Sequence, residues 1–404
     1  MTVSDLKKET LEKLESEHVG CFKGHTKPLL LISQYYPGVW LEHVYDSVFY
    51  AKMDPSKLYL AENTVELFIS LQKESGQLPC YIWDGNKRSN IPPERLVGYG
   101  QIQECVSFAK LCFEVYKMNQ SKVFLQRIYD ASMKWEGWFR KYRLTEGKGL
   151  VEVFIGYDTG HDYSGRLKGL SHVKGYCGDA TALPPDDPVA PMIAVDLNCN
   201  YYATLMALSN MADALGRADE ALEWKEKAGA VKARLFETCF DGEDCFFYDV
   251  DRHGNKRKFL SSTIFHLFME GVLDPVTDAE LIRELYERHI ANPSEFATPY
   301  PFPSMAICDP SCEGHRNFNC WGYYSQGLIA LRCTMWMDEY GFSKEFDHLC
   351  SQWVKAWTKH YDTLKMGQEL DPITGEPTRS SEWYSSCMLF YLYAANRIEQ
   401  KGLV

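Results

Sequence analysis

Apolar residues in this chain recur every three to four positions, in paired stretches split by a helix stop, and that rhythm restricts it to helical architectures. Residues 201–236 show the pattern openly. Leu205, Leu208, Met211 and Leu215 line one face, and Gly216 ends the helix. Asp219 is placed to cap a second helix, whose Ala221, Trp224, Ala228, Val231 and Leu235 share a face. Similar stretches lie near 55–74, 100–118, 120–142, 258–272, 277–290, 322–340, 344–360 and 382–398. With segments near 2–17 and 41–53, about a dozen helices are predicted. Strand signals are short, at 151–155 and at 245–250, the latter followed by a turn through Asp251, His253, Gly254 and Asn255.

No Pro/Gly/Ser linker or charge block divides the 404 residues, so one all-α domain spanning 1–404 is expected. A dozen paired helices suggest a toroid of six helical hairpins with hairpin loops gathered into a cleft at one end. An open helical solenoid would give a similar pattern. The irregular stretches 75–98, 143–195, 292–320 and 361–381 are rich in Gly, Pro, Asp and aromatics. Loops of that length in a compact domain are usually functional.

A net charge of -12, from 43 basic and 55 acidic residues, disfavours nucleic acid and anionic membrane surfaces as partners. No run approaches the roughly 20 apolar residues of a membrane span. The charged opening MTVSDLKKETLEKLESEH has no apolar signal segment, so a cytoplasmic address is expected. The 14 cysteines, including Cys105, Cys112, Cys333 and Cys387, are scattered through apolar runs and read as buried free thiols.

Three loops carry chemistry. Residues 156–166, GYDTGHDYSGR, hold Asp158, His161, Asp162 and Arg166 around Gly160, which lets the backbone bend. An Asp/Gly turn with Arg166 as a surface ion-pair partner would use the same letters. Residues 367–375, GQELDPITG, carry Glu369 and Asp371 just before Glu382 and Trp383; the alternative is a helix-connecting turn with solvated acids. Residues 35–47 place Tyr36, Trp40 and Asp46 ahead of a helix, and equally suit aromatic core plus a helix cap. Together they fit glycoside cleavage, which needs one carboxylic acid to protonate the leaving oxygen and a second carboxylate to activate water or attack. Aromatics make up 14% of the chain, and Tyr36, Trp40, Trp83, Trp321 and Trp383 fall in or beside the long loops, where they can stack on sugar rings.

The order and wording of these segments resemble the (α/α)6-barrel glycosidases related to glycoside hydrolase family 63 and to the trehalases of family 37. Tyr157–Arg166 resembles their Trp-Glu-Ser-Gly-x-Asp-Asn-Ser-Pro-Arg motif, with Asp158, Gly160, Asp162, Ser164 and Arg166 in register. The resemblance makes Asp162 the general acid and places Asp46, within an aromatic Asp-Ser segment, among sugar-binding residues. Gln101-Ile102-Gln103 stands where Gln-Pro-Pro is usual, which carries over Gln101 without the prolines. Asp196-Leu197-Asn198 matches an Asp-x-Asn segment and brings in Asn198. In the Trp-Arg-Gly-Pro-x-Trp segment, only Trp321 is matched securely.

The last motif, Glu-x-Tyr-x-Pro-x-Thr-Gly, reads here from Gln368 to Gly375. Anchored on Pro372 and Gly375, the base position falls on Gln368, and glutamine cannot deprotonate water. Glu369, one residue later, is taken as the base, with Glu382 as the other acid nearby. The resemblance implies hydrolysis, with inversion, of an α-glucoside or related small or oligomeric glycoside, and no cofactor. An inverting pair has its carboxyl groups about 6.5–9.5 Å apart. His161 reads as a sugar hydrogen-bond donor. Cys308, Cys312, His315 and Cys320 could close a zinc site, but their spacing is irregular for zinc modules, so no metal is expected. Two other functions stay open: a sugar epimerase or isomerase using His161, His172 or His315 for proton transfer, and a glycan-binding protein without turnover.

Overall fold

A computed structural model describes residues 1–22, 24–172, 180–184, 186–312, 321–378 and 381–403. His315, Cys320 and the rest of 313–320 lie outside the described residues, so the four-residue zinc reading does too. Twelve α-helices form among the described residues: α1 (Val3–Lys13), α2 (Val44–Met53), α3 (Leu58–Ser70), α4 (Phe108–Asn119), α5 (Lys122–Tyr142), α6 (Val195–Ala214), α7 (Ala218–Cys239), α8 (Ile264–Met269), α9 (Ala279–Leu285), α10 (Gly327–Arg332), α11 (Ser343–Lys359) and α12 (Ser385–Gln400).

Local chemistry sets their ends. The Ser107 hydroxyl accepts from the Lys110 amide at 3.3 Å to start α4, and Ser121 does the same for the Phe124 amide at 3.2 Å to start α5. The Asn119-Gln120-Ser121 triplet is therefore a helix junction, with Gln120 in the left-handed region at φ 53°. Gly216, at φ 78°, ends α6 where the sequence predicts a stop. Asp219 is not the cap of α7. The helix already begins at Ala218 without a side-chain cap, and Asp219 sits in its first turn, where its charge suits the helix dipole. Helices expected over 258–272 and 322–340 shrink to α8 and α10, because the backbone on either side is used for loops and bridges.

The chain groups into two compact units. A middle unit comprises Val39–Lys258 and Thr263–Val272, and a terminal unit comprises Met1–Gly38, Phe259–Ser262 and Leu273–Val404. Within the middle unit, α6 packs along α7, α4, α5 and α8, and α2 packs on α3. Its core is aromatic. Trp135 and Trp138 of α5 stack at 5.0 Å, and Phe139 meets Tyr201 of α6 at 5.8 Å. Both expected strand regions form. Glu152–Val153 pairs with Met192–Ile193, which pairs with Asp249–Val250, which pairs with Lys256–Arg257, all antiparallel. This small sheet brings the loop after residue 155 to the start of α6.

In the terminal unit, α12 packs against α11, α10 and α1. Trp353 of α11 meets Phe390 of α12 at 5.6 Å, and Trp357 is buried beside it. A short antiparallel pair that the sequence gives no sign of, Ser325–Gln326 with Glu369–Leu370, sits just before α10. Among the described residues, no helix is long and apolar enough to cross a membrane.

Candidate active site

The expected acids fall in two clusters, one in each unit. In the middle unit, the loop leaving the strand Glu152–Val153 is fastened by Asp158. Its carboxylate accepts from Arg143 Nη1 at 2.6 Å and Nη2 at 3.3 Å, from the Ile102 amide at 3.0 Å, and from the Phe154 and Ile155 amides at 2.9 and 3.2 Å. Asp158 and Arg143 are both sealed from solvent. Asp158 therefore joins the end of α5, the segment at 102 and the strand. Both its oxygens accept from protein donors, so it braces the loop from within.

Two further expected sugar contacts, Asn198 and Arg166, also make hydrogen bonds within the protein. The Asn198 amide accepts from the Val151 amide at 2.7 Å and donates to the Val151 and Ala194 carbonyls at 2.9 and 2.8 Å. It caps the strand edge from inside α6. Arg166 is buried, not a surface ion-pair partner, and bridges two acids. Nη1 donates to Asp249 Oδ2 at 2.6 Å, Nη2 donates to Asp196, and the Val195 amide donates to Asp249 Oδ1 at 2.9 Å. Burial pushes the Asp196 carboxyl up to about 6, Arg166 pulls it down, and the neighbouring Asp249 adds to the rise.

His161 lies beside this bridge. Arg166 Nη2 donates to its Nδ1 at 3.3 Å, which places the proton of the neutral ring on Nε2. Donor atoms of His161, Asp196 and His266 lie within 4.8 Å of one another, a separation that a metal ion could span. The Arg166 guanidinium already supplies the positive charge to Asp196, so a second cation there would meet repulsion.

At the loop tip, Gly160 has φ 73°, and a Cβ on it would lie 2.4 Å from Cys105 Sγ and 2.8 Å from Glu42 Oε2. Only glycine fits there. Asp162 follows with φ 26°, and His172 Nε2 donates to its carbonyl at 2.8 Å. Gln101 donates to Gln103 Oε1 at 2.5 Å, Gln103 donates to Glu42 Oε1 at 3.1 Å, and the Cys105 thiol bonds the Thr159 carbonyl at 3.0 Å. Glu42, Gln103 and Cys105 thus form a buried polar chain beneath the loop that motif reading missed. The available sign was three polar letters, Glu42, Gln101 and Gln103, interrupting apolar stretches. Trp40 and Trp83 meet edge-to-face at 4.5 Å, with the Arg88 guanidinium 4.6 Å over the Trp83 ring. Asp46 is buried within α2.

In the terminal unit, the strand pair fixes Glu369 opposite Gln326. The Gln326 amide donates to Glu369 Oε1, and the Thr378 hydroxyl donates to Oε2 at 3.1 Å. Glu369 has no exposed surface, and burial pushes its carboxyl up to about 8 against the pull of both donors. Glu382 is exposed and accepts from the Lys365 amide at 3.4 Å. Trp383 and Trp321 are buried, at φ 50° and 58°, with Arg332 5.8 Å over the Trp321 ring and Lys13 5.9 Å over Trp383. Tyr36 is half-buried, its ring 4.8 Å from Tyr35. Of nine non-glycine residues with positive φ among the described ones, Gln103, Asp162, Trp321, Met366 and Trp383 fall in or beside these loops. Backbone strain of this kind tends to gather at functional sites.

Solved structures share this fold. A mannosylglycerate hydrolase of family 63 from Thermus thermophilus, in complex with glucose, superposes with a TM-score of 0.73 at 16% identity, covering 96% of this chain and 99% of that one. Its complex with Tris and D-glycerate gives 0.72 over the same shares. The neutral trehalase of Saccharomyces cerevisiae gives 0.67 at 13% identity, covering 99% of this chain and 82% of that one. A curated relative, an uncharacterized protein of Borreliella burgdorferi, is 25% identical over 130 residues; the match spans 32% of this chain and only 26% of that relative. Residues 56–385, four-fifths of the sequence, match the family model of the mannosylglycerate hydrolase MGH1-like glycoside hydrolase domain, and the chain belongs to that glycoside hydrolase family.

Proposed function

We propose that the protein hydrolyses the O-glycosidic bond of a small α-linked glucoside or mannoside with inversion, within a single catalytic domain arranged as a toroid of helix pairs. Asp162 protonates the leaving oxygen, and Glu369 takes a proton from the water that attacks the opposite ring face. Glu369 carries this reading. It is a carboxyl held by two donors in a fixed strand pair and raised by burial, hence a stronger base than a solvated glutamate once ionised. Its neighbour Gln368, at the motif position, has no acid–base capacity. Glycosides of glycerate are the first compounds to test, since solved relatives of the same fold are mannosylglycerate hydrolases. The buried free thiols suit a reducing compartment.

A second reading, sugar binding without turnover, is favoured by one observation: Glu369 has no exposed surface, so water has to be admitted before it can act. A single experiment separates the two. The protein is incubated with α-mannosylglycerate, α-glucosylglycerate and trehalose, and the first sugar released is followed by proton NMR. From the glycerate glycosides inversion gives the β-anomer, and from trehalose it gives equal β- and α-glucose, because the leaving glucose keeps its configuration. Release of the α-anomer alone overturns the inverting mechanism, and binding without release supports the second reading. With Glu369→Ala, added azide should restore turnover and form the β-glycosyl azide, because the small anion replaces the activated water.

A further inference from the structure

The backbone of Asp162 sits at φ 26°, a conformation that an aspartate leaves unless its surroundings hold it. The His172 ring bears on it, with Nε2–H donating to the Asp162 carbonyl at 2.8 Å. That ring is itself clamped. It stacks on Tyr163 at 4.8 Å and 18°, and meets Tyr157 edge-on at 5.4 Å and 90°. The hydroxyls of Tyr157 and Tyr163 bond each other at 2.5 Å and close the clamp. Gly156 makes the space, since a Cβ there would lie 2.3 Å from His172 Nε2. The Gly156 amide donates to the Ser171 carbonyl at 2.8 Å, so the histidine is tied to the base of the same loop.

We propose that His172 is a positioning residue for the general acid: it locks the strained Asp162 peptide so that the carboxyl points at the leaving oxygen. The proposal rests on Asp162 being the acid. It places this histidine in a different role from proton transfer, because Nε2 is committed to a backbone carbonyl. A misaligned acid loses rate only where the leaving group needs a proton.

The test compares two probes, α-mannosylglycerate, whose leaving alkoxide must be protonated, and α-mannosyl fluoride, whose fluoride departs with little help; the glucosyl pair replaces them if the enzyme prefers glucose. His172→Phe keeps the aromatic stack and removes the donor. Its kcat on the glycoside should fall about 10²-fold with KM within about twofold, while fluoride hydrolysis changes by less than about threefold. His172→Gln, whose amide reaches a similar point, should recover most of the lost turnover. If the Phe variant fails to fold by circular dichroism, His172→Asn, too short to reach the carbonyl, carries the same expectation. Unchanged glycoside turnover, or an equal loss on both probes, overturns the proposal. The reading beneath it fails separately: an Asp162→Asn variant that still cleaves the glycoside shows that Asp162 is not the acid.

Discussion

Asp158, Arg166 and Asn198 show how motif residues can brace a loop from within the protein. All three are polar letters in a loop or helix start, which sequence logic sends to the ligand. In the structure Asp158 and Asn198 spend their hydrogen-bonding groups on backbone or on a buried partner, and Arg166 bridges two buried acids with its Nη atoms, so that together they build the loop that carries Asp162. Partners such as Arg143 and Asp249 are remote in sequence, and nothing in local spacing reveals them. Gly160 was legible as a bend, but its lack of room was not. Gly160→Ala should destabilise the protein by about 1–3 kcal/mol in urea unfolding, from positive φ alone. As the proposed base, Glu369 would set the pH response of catalysis. A base held near 8 works only when ionised, so kcat/KM should climb as pH rises from 6 through 8; a profile flat across that range removes Glu369 from the role.

At the level of elements, periodicity located the helices well because their buried faces are apolar and continuous. It overran where apolar residues serve loops instead, as around α8 and α10. It could not show two-residue strands, whose pairing is decided by partners far along the chain. The Glu369–Leu370 strand is the consequential case, since its pairing with Ser325–Gln326 fixes the carboxyl. The fully buried Trp135 of α5 belongs to the core of the middle unit, and Trp135→Ala should cost about 3–5 kcal/mol in urea unfolding. Ser121→Ala, which removes the cap of α5, should cost about 1 kcal/mol by the same measurement.

At the scale of the molecule, among the described residues the buried carboxyls of Asp196 at about 6, Glu104 at about 7 and Glu369 at about 8 bind protons more tightly folded than unfolded, burial being the first cause in each. Their raised values favour folding at low pH, and that contribution is lost as pH climbs from about 4 through 8. The melting temperature should therefore drop between pH 7 and 8.5, above the range in which His348 and His360, lowered by burial, contribute in the opposite direction, and a rise over that interval would contradict the assignment. Helical class and family were legible from the whole sequence. The division into a middle and a terminal unit was not, because no linker marks it.

That division has a consequence for birth on the ribosome. Helix α1 packs on α12, and Lys7 and Tyr361 are tied to Glu399 and Glu9 at 2.6 Å each, across 392 and 352 positions of chain. The residues of the middle unit are all made by Val272, whereas α1 has to wait for its long-range partners until α11 and α12 have emerged. Its exposed side during that interval is strongly charged, with Lys7, Lys8, Glu9, Glu12 and Lys13 around few apolar residues, a composition suited to a segment that stays in water before it docks.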